Sequence, residues 1–222
     1  MAAPTDITLK DISGEWMMDK TLSNPTEPLL ALQGMGWMKR KALNMANITL
    51  QVHQYPDNED SKVMHVHIDQ IVTGGIKGTT ENRRTDWTPR EHEDHVFGRV
   101  KGQSRLIRGS KGADGKLRPN VELSTKTDDE KVHKFLRAEI LVDGTDSEGF
   151  LVDNVGEEYG EGEGLLLQSY VENLDSHWTA EQIWGFEMVD GKRYYTRRVV
   201  VAKDGTYEMA RFVYSFIKRR EA

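Results

Sequence analysis

Residues 90–98, REHEDHVFG, bring two histidines and three carboxylates together between Glu91 and His95. These residue types ligate metals or pass protons, so their spacing decides which chemistry is open. A strand sends alternate side chains to opposite faces, which puts His92 with Asp94 and leaves Glu91, Glu93 and His95 on the other side. Two ligands on one face do not complete a metal site. A third would have to come from elsewhere, for example His65 or His67 in VMHVHID. No metal is expected here. His92 and Asp94 stand as a candidate acid/base pair, against the plainer reading of a polar, partly exposed strand following Pro89.

A second set of chemical groups lies near the C-terminus. In RYYTRRVVVAK, Tyr195 and Arg197 share one face and Tyr194 and Arg198 the other. One pair must look inward, and a buried arginine needs an acid or an anionic ligand opposite it. Trp184 and Phe186 alternate with Ile183 and Gly185, the spacing of a core or a cavity wall.

The elements that carry these residues read as mostly strand. Asp-Gly pairs at 114–115, 143–144, 190–191 and 204–205 mark tight turns. The last two separate EQIWGFEMV, RYYTRRVVVAK and TYEMARFVYSFIK, three consecutive antiparallel strands. HVHIDQIV, GIKGTTENRRTDW and DHVFGRVKGQSRLIRG continue the pattern upstream, which points to a barrel or sandwich. Only NPTEPLLALQGMGWMKRKALNMAN reads as helical. Its break at Gly34 and Gly36 gives a helix–turn–helix between strands 1 and 2. Residues 142–164 hold eight acids and six glycines with no Lys or Arg, an acidic loop inserted between strands. Their spacing fits neither a calcium loop nor a dinucleotide-binding turn.

Composition narrows the function. The 222 residues, 37% hydrophobic and 30% charged, can bury a sizeable core and are read as one domain, 1–222. A formal charge of −6 disfavours nucleic acid as a partner. The absence of cysteine removes disulfides and thiolate chemistry, no apolar run is long enough to span a bilayer, and no signal peptide is visible. A cytoplasmic location is expected. No nucleotide motif holds, so no cofactor is expected.

Several segments together resemble the calycin superfamily of lipocalins and fatty-acid-binding proteins. Gly14-Glu15-Trp16 is similar to the family's G-x-W, residues 30–52 to the two-helix lid, GTTENRRTDW to a T-T-x-N-R-x-T strand, and the final hairpin to an R-x-Y strand. The chain is longer than usual for the family and also resembles fungal calycin-like proteins of unassigned activity.

The resemblance implies a closed antiparallel up-and-down barrel of about ten strands, lidded by the helix–turn–helix, with an internal cavity for a small hydrophobic molecule. It implies ligand contact by Arg211, although Val213 stands where the family has tyrosine and the nearest one is Tyr214. Strand alternation puts Arg211 opposite Ala210, Phe212 and Tyr214, so Arg211 lies outside if that apolar set faces the cavity. On the lid, Met35 and Trp37 are candidate ligand residues, and on the walls Trp184, Phe186, Tyr195, Arg197 and Tyr214. Two activities fit such a cavity. One is a carrier of a small hydrophobic, acidic or neutral molecule. The other is a cofactor-free isomerase or cyclase of the secondary-metabolite type, in which folding a reactive chain does most of the work.

Overall fold

The computed structural model describes residues 1–220 apart from Gly75, Lys77, Lys126, Asp128 and Asn154. Eleven strands form one antiparallel sheet: β1 (Gly14–Met18), β2 (Ile48–Pro56), β3 (Met64–Val72), β4 (Thr80–Arg84), β5 (Arg90–Asp94), β6 (Gly98–Lys111), β7 (Leu117–Pro119), β8 (Glu163–Asn173), β9 (Thr179–Val189), β10 (Lys192–Lys203) and β11 (Thr206–Arg219). Between β1 and β2 come the helices α1 (Glu27–Leu32) and α2 (Trp37–Met45), where the sequence pattern places them.

The strand order β4-β3-β2-β1-β11-β10-β9-β8-β6-β5 is a path, with β7 hanging from β6. The expected ring of strands is therefore not completed among the described residues. The chain crossing from β4 to β5 touches β6 at an Asp86–Arg105 bridge and by a Trp87 N–H to Ser104 carbonyl bond of 2.8 Å. The sheet thus curves round as a half-barrel and leaves a seam between its end strands.

Local chemistry explains the hairpins. At β9–β10 and β10–β11 both turn residues have positive φ, 48° at Asp190 and 72° at Gly191, 50° at Asp204 and 77° at Gly205. That is the two-residue turn whose twist suits paired strands, and Asp-Gly tolerates it best.

Alternation then sorts the faces. Trp16, Leu50, Val52, Val66, Ile68, Trp184, Phe186, Tyr195, Phe212 and Tyr214 point inside and form the main core. On the strands from β8 to β11 the other face is covered too, which is why GLLL on β8 and VVVA on β10 read as unbroken apolar runs. There Leu166, Ile183, Val200 and Met209 pack under a third helix, α3 (Glu130–Leu136). The sequence reading has no helix at this place. Its signals are present but short: Asp129 accepts the Lys131 N–H as N-cap, and Val132, Phe135 and Leu136 are buried at helical spacing. Seven residues supply no more than two turns, so this helix owes its stability to burying those side chains, about 1.5–3 kcal/mol for each large one.

The acidic stretch is likewise tied down. Phe150 is buried, bridges to Leu117 and Glu187, and is followed by a Leu151 N–H bond to the Phe186 carbonyl of 2.7 Å.

Candidate functional site

Inside the curve of the sheet lies a cavity of about 240 Å³. Its apolar wall comes from Val100, Val171, Trp178, Ala180, Val199 and Phe212, and α1 and α2 face it with Leu29, Leu30 and Leu43. Side chains at these positions point inward because they alternate with the residues packed under α3.

Across this apolar wall runs a polar strip. On β4, Glu81 and Arg83 point in, since their cross-strand partners are the buried Ile68 and Val66. The Arg83 guanidinium pairs with the Glu81 carboxylate and donates to the Ser169 hydroxyl. Glu81 also accepts the Gln70 amide at 2.8 Å. On β10, Arg197 lies 4.7 Å from the Trp184 ring centre and 5.0 Å from that of Phe212, and reaches Gln182 Oε1 at 3.4 Å. Stacking on aromatic faces steadies a guanidinium without consuming its N–H donors. The Nε atoms of Arg83 and Arg197 are buried and have no hydrogen-bond partner among the described residues.

The electrostatics favour donation. Burial pushes the Glu81 carboxyl up, but the Arg83 and Arg197 guanidiniums and the Gln70 amide more than reverse this, so it lies below the usual carboxylate range. Burial raises the Tyr214 phenol, which lines the cavity and stays protonated at neutral pH. The strip thus presents two cations, one anion and a phenol to whatever occupies the cavity. Such a wall can stabilise negative charge developing on a bound carbonyl oxygen.

The candidate residues are not all brought together. Arg197 and Tyr214 line the cavity. Trp184 is the platform under Arg197, its own indole N–H buried without a partner among the described residues. Tyr195 and Phe186 sit deeper, in an aromatic cluster with Trp16, and burial raises the Tyr195 phenol. His92 and Asp94 share a face, as strand alternation requires, and that face borders the cavity along the seam. Asp94 is engaged in its own turn, accepting the N–H groups of Val96 and Phe97 at 2.7 and 2.9 Å. Met35 is buried in the turn between α1 and α2, outside the cavity lining. Trp37 is 61% exposed and carries Lys41 over its ring at 5.2 Å.

Arg211 corrects the position that the family resemblance implies for it. It lies on the other face of the sheet, 3.4 Å from Glu187 Oε2, because the apolar Ala210, Phe212 and Tyr214 set takes the inner face.

Glu81, Arg83 and Gln182 are functional candidates absent from the sequence reading. TENRRT shows the alternation of Glu81 with Arg83, but only strand pairing reveals that this face is the inner one. Among the described residues no group of three or more His, Cys, Asp or Glu is placed to hold a metal ion, and no helix is long and apolar enough to cross a membrane.

No protein-family model matches the chain. In fold it is similar to lipid binding protein 8 of Caenorhabditis elegans, at a TM-score of 0.52 and 11% identity, with 96% of this chain and 99% of that one covered. In sequence it is similar to pericyclase pydY from Acremonium sp, 26% identical over 220 residues, which is 99% of either chain. It is also similar to a probable pericyclase, scpY, from Mollisia scopiformis, 24% identical over 221 residues, spanning 100% of this chain and 97% of that protein. The chain thus shares its fold with that lipid binding protein and is similar, end to end, to fungal proteins named pericyclases.

Proposed function

We propose that this protein is a cofactor-free pericyclase that folds a small hydrophobic molecule inside the sheet and lets it cyclise. The observation that carries this reading is the pair Arg83 and Arg197, set with unpartnered N–H donors in an otherwise apolar, aromatic-walled cavity. The full-length similarity to two pericyclases supports it. A pericyclic reaction moves electrons round a ring of atoms without a nucleophile, metal or redox partner. Catalysis then comes from holding the reacting ends together and from polarising one of them.

The cavity suits both tasks. At about 240 Å³ it admits a compact, folded conformer more readily than an extended chain, with α1 and α2 as its lid. Arg197 stacks on Trp184 and reaches a carbonyl or acidic oxygen of the substrate. Arg83, fixed by Glu81, and the Tyr214 phenol add further donors. Hydrogen bonds to such an oxygen draw electron density from a conjugated double bond, and the developing charge strengthens them in the transition state. His92 and Asp94 stand at the rim, where they meet the substrate as it arrives.

The same cavity serves a carrier, so the decisive test is turnover. Incubating the protein with a small-molecule extract of its source cells and identifying the bound and free compounds by native mass spectrometry and chromatography separates the two. Consumption of one compound with growth of an isomer of equal mass is the expected result. A compound retained unchanged would make the protein a carrier.

A further inference from the structure

The cavity borders the edge of the sheet in an unusual way. It touches Thr79 and every residue of β4, Thr80 to Arg84. A strand with only its inner face on a cavity contributes alternate residues, here Glu81 and Arg83. Thr80, Asn82 and Arg84 belong to the outer face, so the cavity passes round the free edge of β4 to the outside. The opposite lip is β5, whose inner face supplies Arg90, His92 and Asp94. Arg90 and His92 are exposed although they face inward, as they must be if water reaches them through an opening. No described residue of β4 pairs with β5; the Asp86–Arg105 bridge ties the connection between them to β6 instead.

We infer that the small molecule enters and leaves through this seam, between β4 and β5, and that Arg83 is the latch across it. Arg83 starts on β4 and reaches over to the opposite wall. There its guanidinium donates to Ser169 on β8 and lies 3.4 Å from the Ser104 hydroxyl on β6. These bonds tie the two ends of the sheet at the level of the cavity. They run from a charge on the free-edge strand β4 to two side-chain hydroxyls, so they can break without disrupting any ladder of backbone bonds. A molecule seated against Arg83 would hold the latch shut behind it. The helices, by contrast, close their side with Leu29, Leu30 and Leu43.

The inference rests on the cavity being the substrate's site, as proposed above. The test uses 1-anilinonaphthalene-8-sulfonate as the probe in stopped-flow fluorescence, which needs no turnover. In His92→Trp, a bulky side chain on the β5 lip is expected to lower both the association and the dissociation rate constants at least tenfold, with Kd within threefold. Met38→Trp, on the helix side at an exposed position of α2 outside the cavity lining, is expected to leave both rates within twofold. The reverse pattern, or unchanged rates in both variants, overturns the seam as the route. Should His92→Trp lose its cooperative melting transition, Arg83→Ala decides instead. Both rates should rise at least fivefold, and no rise overturns the latch. Failure of the unmodified protein to bind the probe would remove the cavity reading and the seam together. The expected rates without isomer formation in the extract would support the seam and remove only the pericyclase reading.

Discussion

Arg197 and Arg198 are neighbours in the chain and point to opposite faces of β10, one into the cavity and one into the core under α3. Arg198 is fully buried and every donor on it is used. Glu187 takes bonds of 3.0 and 2.8 Å, the Phe135 and Ile140 carbonyls 2.9 and 2.7 Å, and the Ser147 hydroxyl 2.7 Å. Among the described residues Arg197 has Gln182 alone as a side-chain acceptor, at 3.4 Å. A buried cation with every bond made is a structural pin. One left short of acceptors is a place for a ligand oxygen.

Replacing Arg197 should therefore cost function and spare the fold. Arg197→Leu is expected to lower isomer formation by about 100-fold or more, the scale of losing one donor to a developing oxyanion. Its urea midpoint should stay close to that of the unmodified protein. A variant that turns over normally would take Arg197 out of the chemistry.

Arg198→Leu should do the opposite. Removing one partner of a buried pair costs about 3–5 kcal/mol, because Glu187 is left in the core with its charge largely uncompensated. Arg211, 16% exposed and 3.4 Å from the same carboxylate, offsets only part of that. Arg211→Leu is expected to be milder in urea denaturation and to leave binding of 1-anilinonaphthalene-8-sulfonate within twofold. A large loss of binding would put Arg211 back at the ligand.

The two buried carboxylates set the acid limit. Burial pushes Glu187 up, but Arg198 and Arg211 bring it below its ordinary value of 4.5, and Glu81 lies low for the matching reason. A lowered folded value means that the unfolded chain binds the proton more readily. The stability these groups contribute is thus complete above pH 4.5 and disappears as pH falls through their folded values. Urea midpoints should stay flat from these groups between pH 8 and 5 and drop below pH 4.5. A decline that starts near neutrality would point to other groups.

At the seam, Asp94 and His92 should separate. Asp94→Ala removes the acceptor for two turn N–H groups and is expected to cost about 1 kcal/mol of stability. His92→Ala leaves that turn intact and tests proton transfer directly. Isomer formation that falls tenfold or more, with unchanged probe kinetics, would assign His92 a catalytic part.

Much of the frame is legible in the chain because the signals are local. Asp190-Gly191 and Asp204-Gly205 fix two hairpins by backbone preference alone, and the strands they join carry the period-2 pattern of a wall. Gly34 and Gly36 mark the turn between α1 and α2 just as directly. The helix α3 is harder to read, since seven residues carry too little periodicity and its stability comes from Ile183, Val200 and Met209 on distant strands. The acidic stretch conceals Phe150 for the same reason, because its partner Glu187 is 37 residues further on.

By itself the sequence determined which side chains share a face. Arg197 had to lie with Tyr195, Arg211 opposite Phe212, and His92 with Asp94, because alternation follows from strand geometry at every residue. It did not determine which face is inside. Register and closure depend on pairing between strands far apart in the chain, and a shift of one residue exchanges the two faces completely. Only the tertiary structure sets Arg197 into the cavity and Arg198 into the core. It also brings Glu81 and Arg83 from β4 to Ser169 on β8, and leaves the sheet unjoined between β4 and β5.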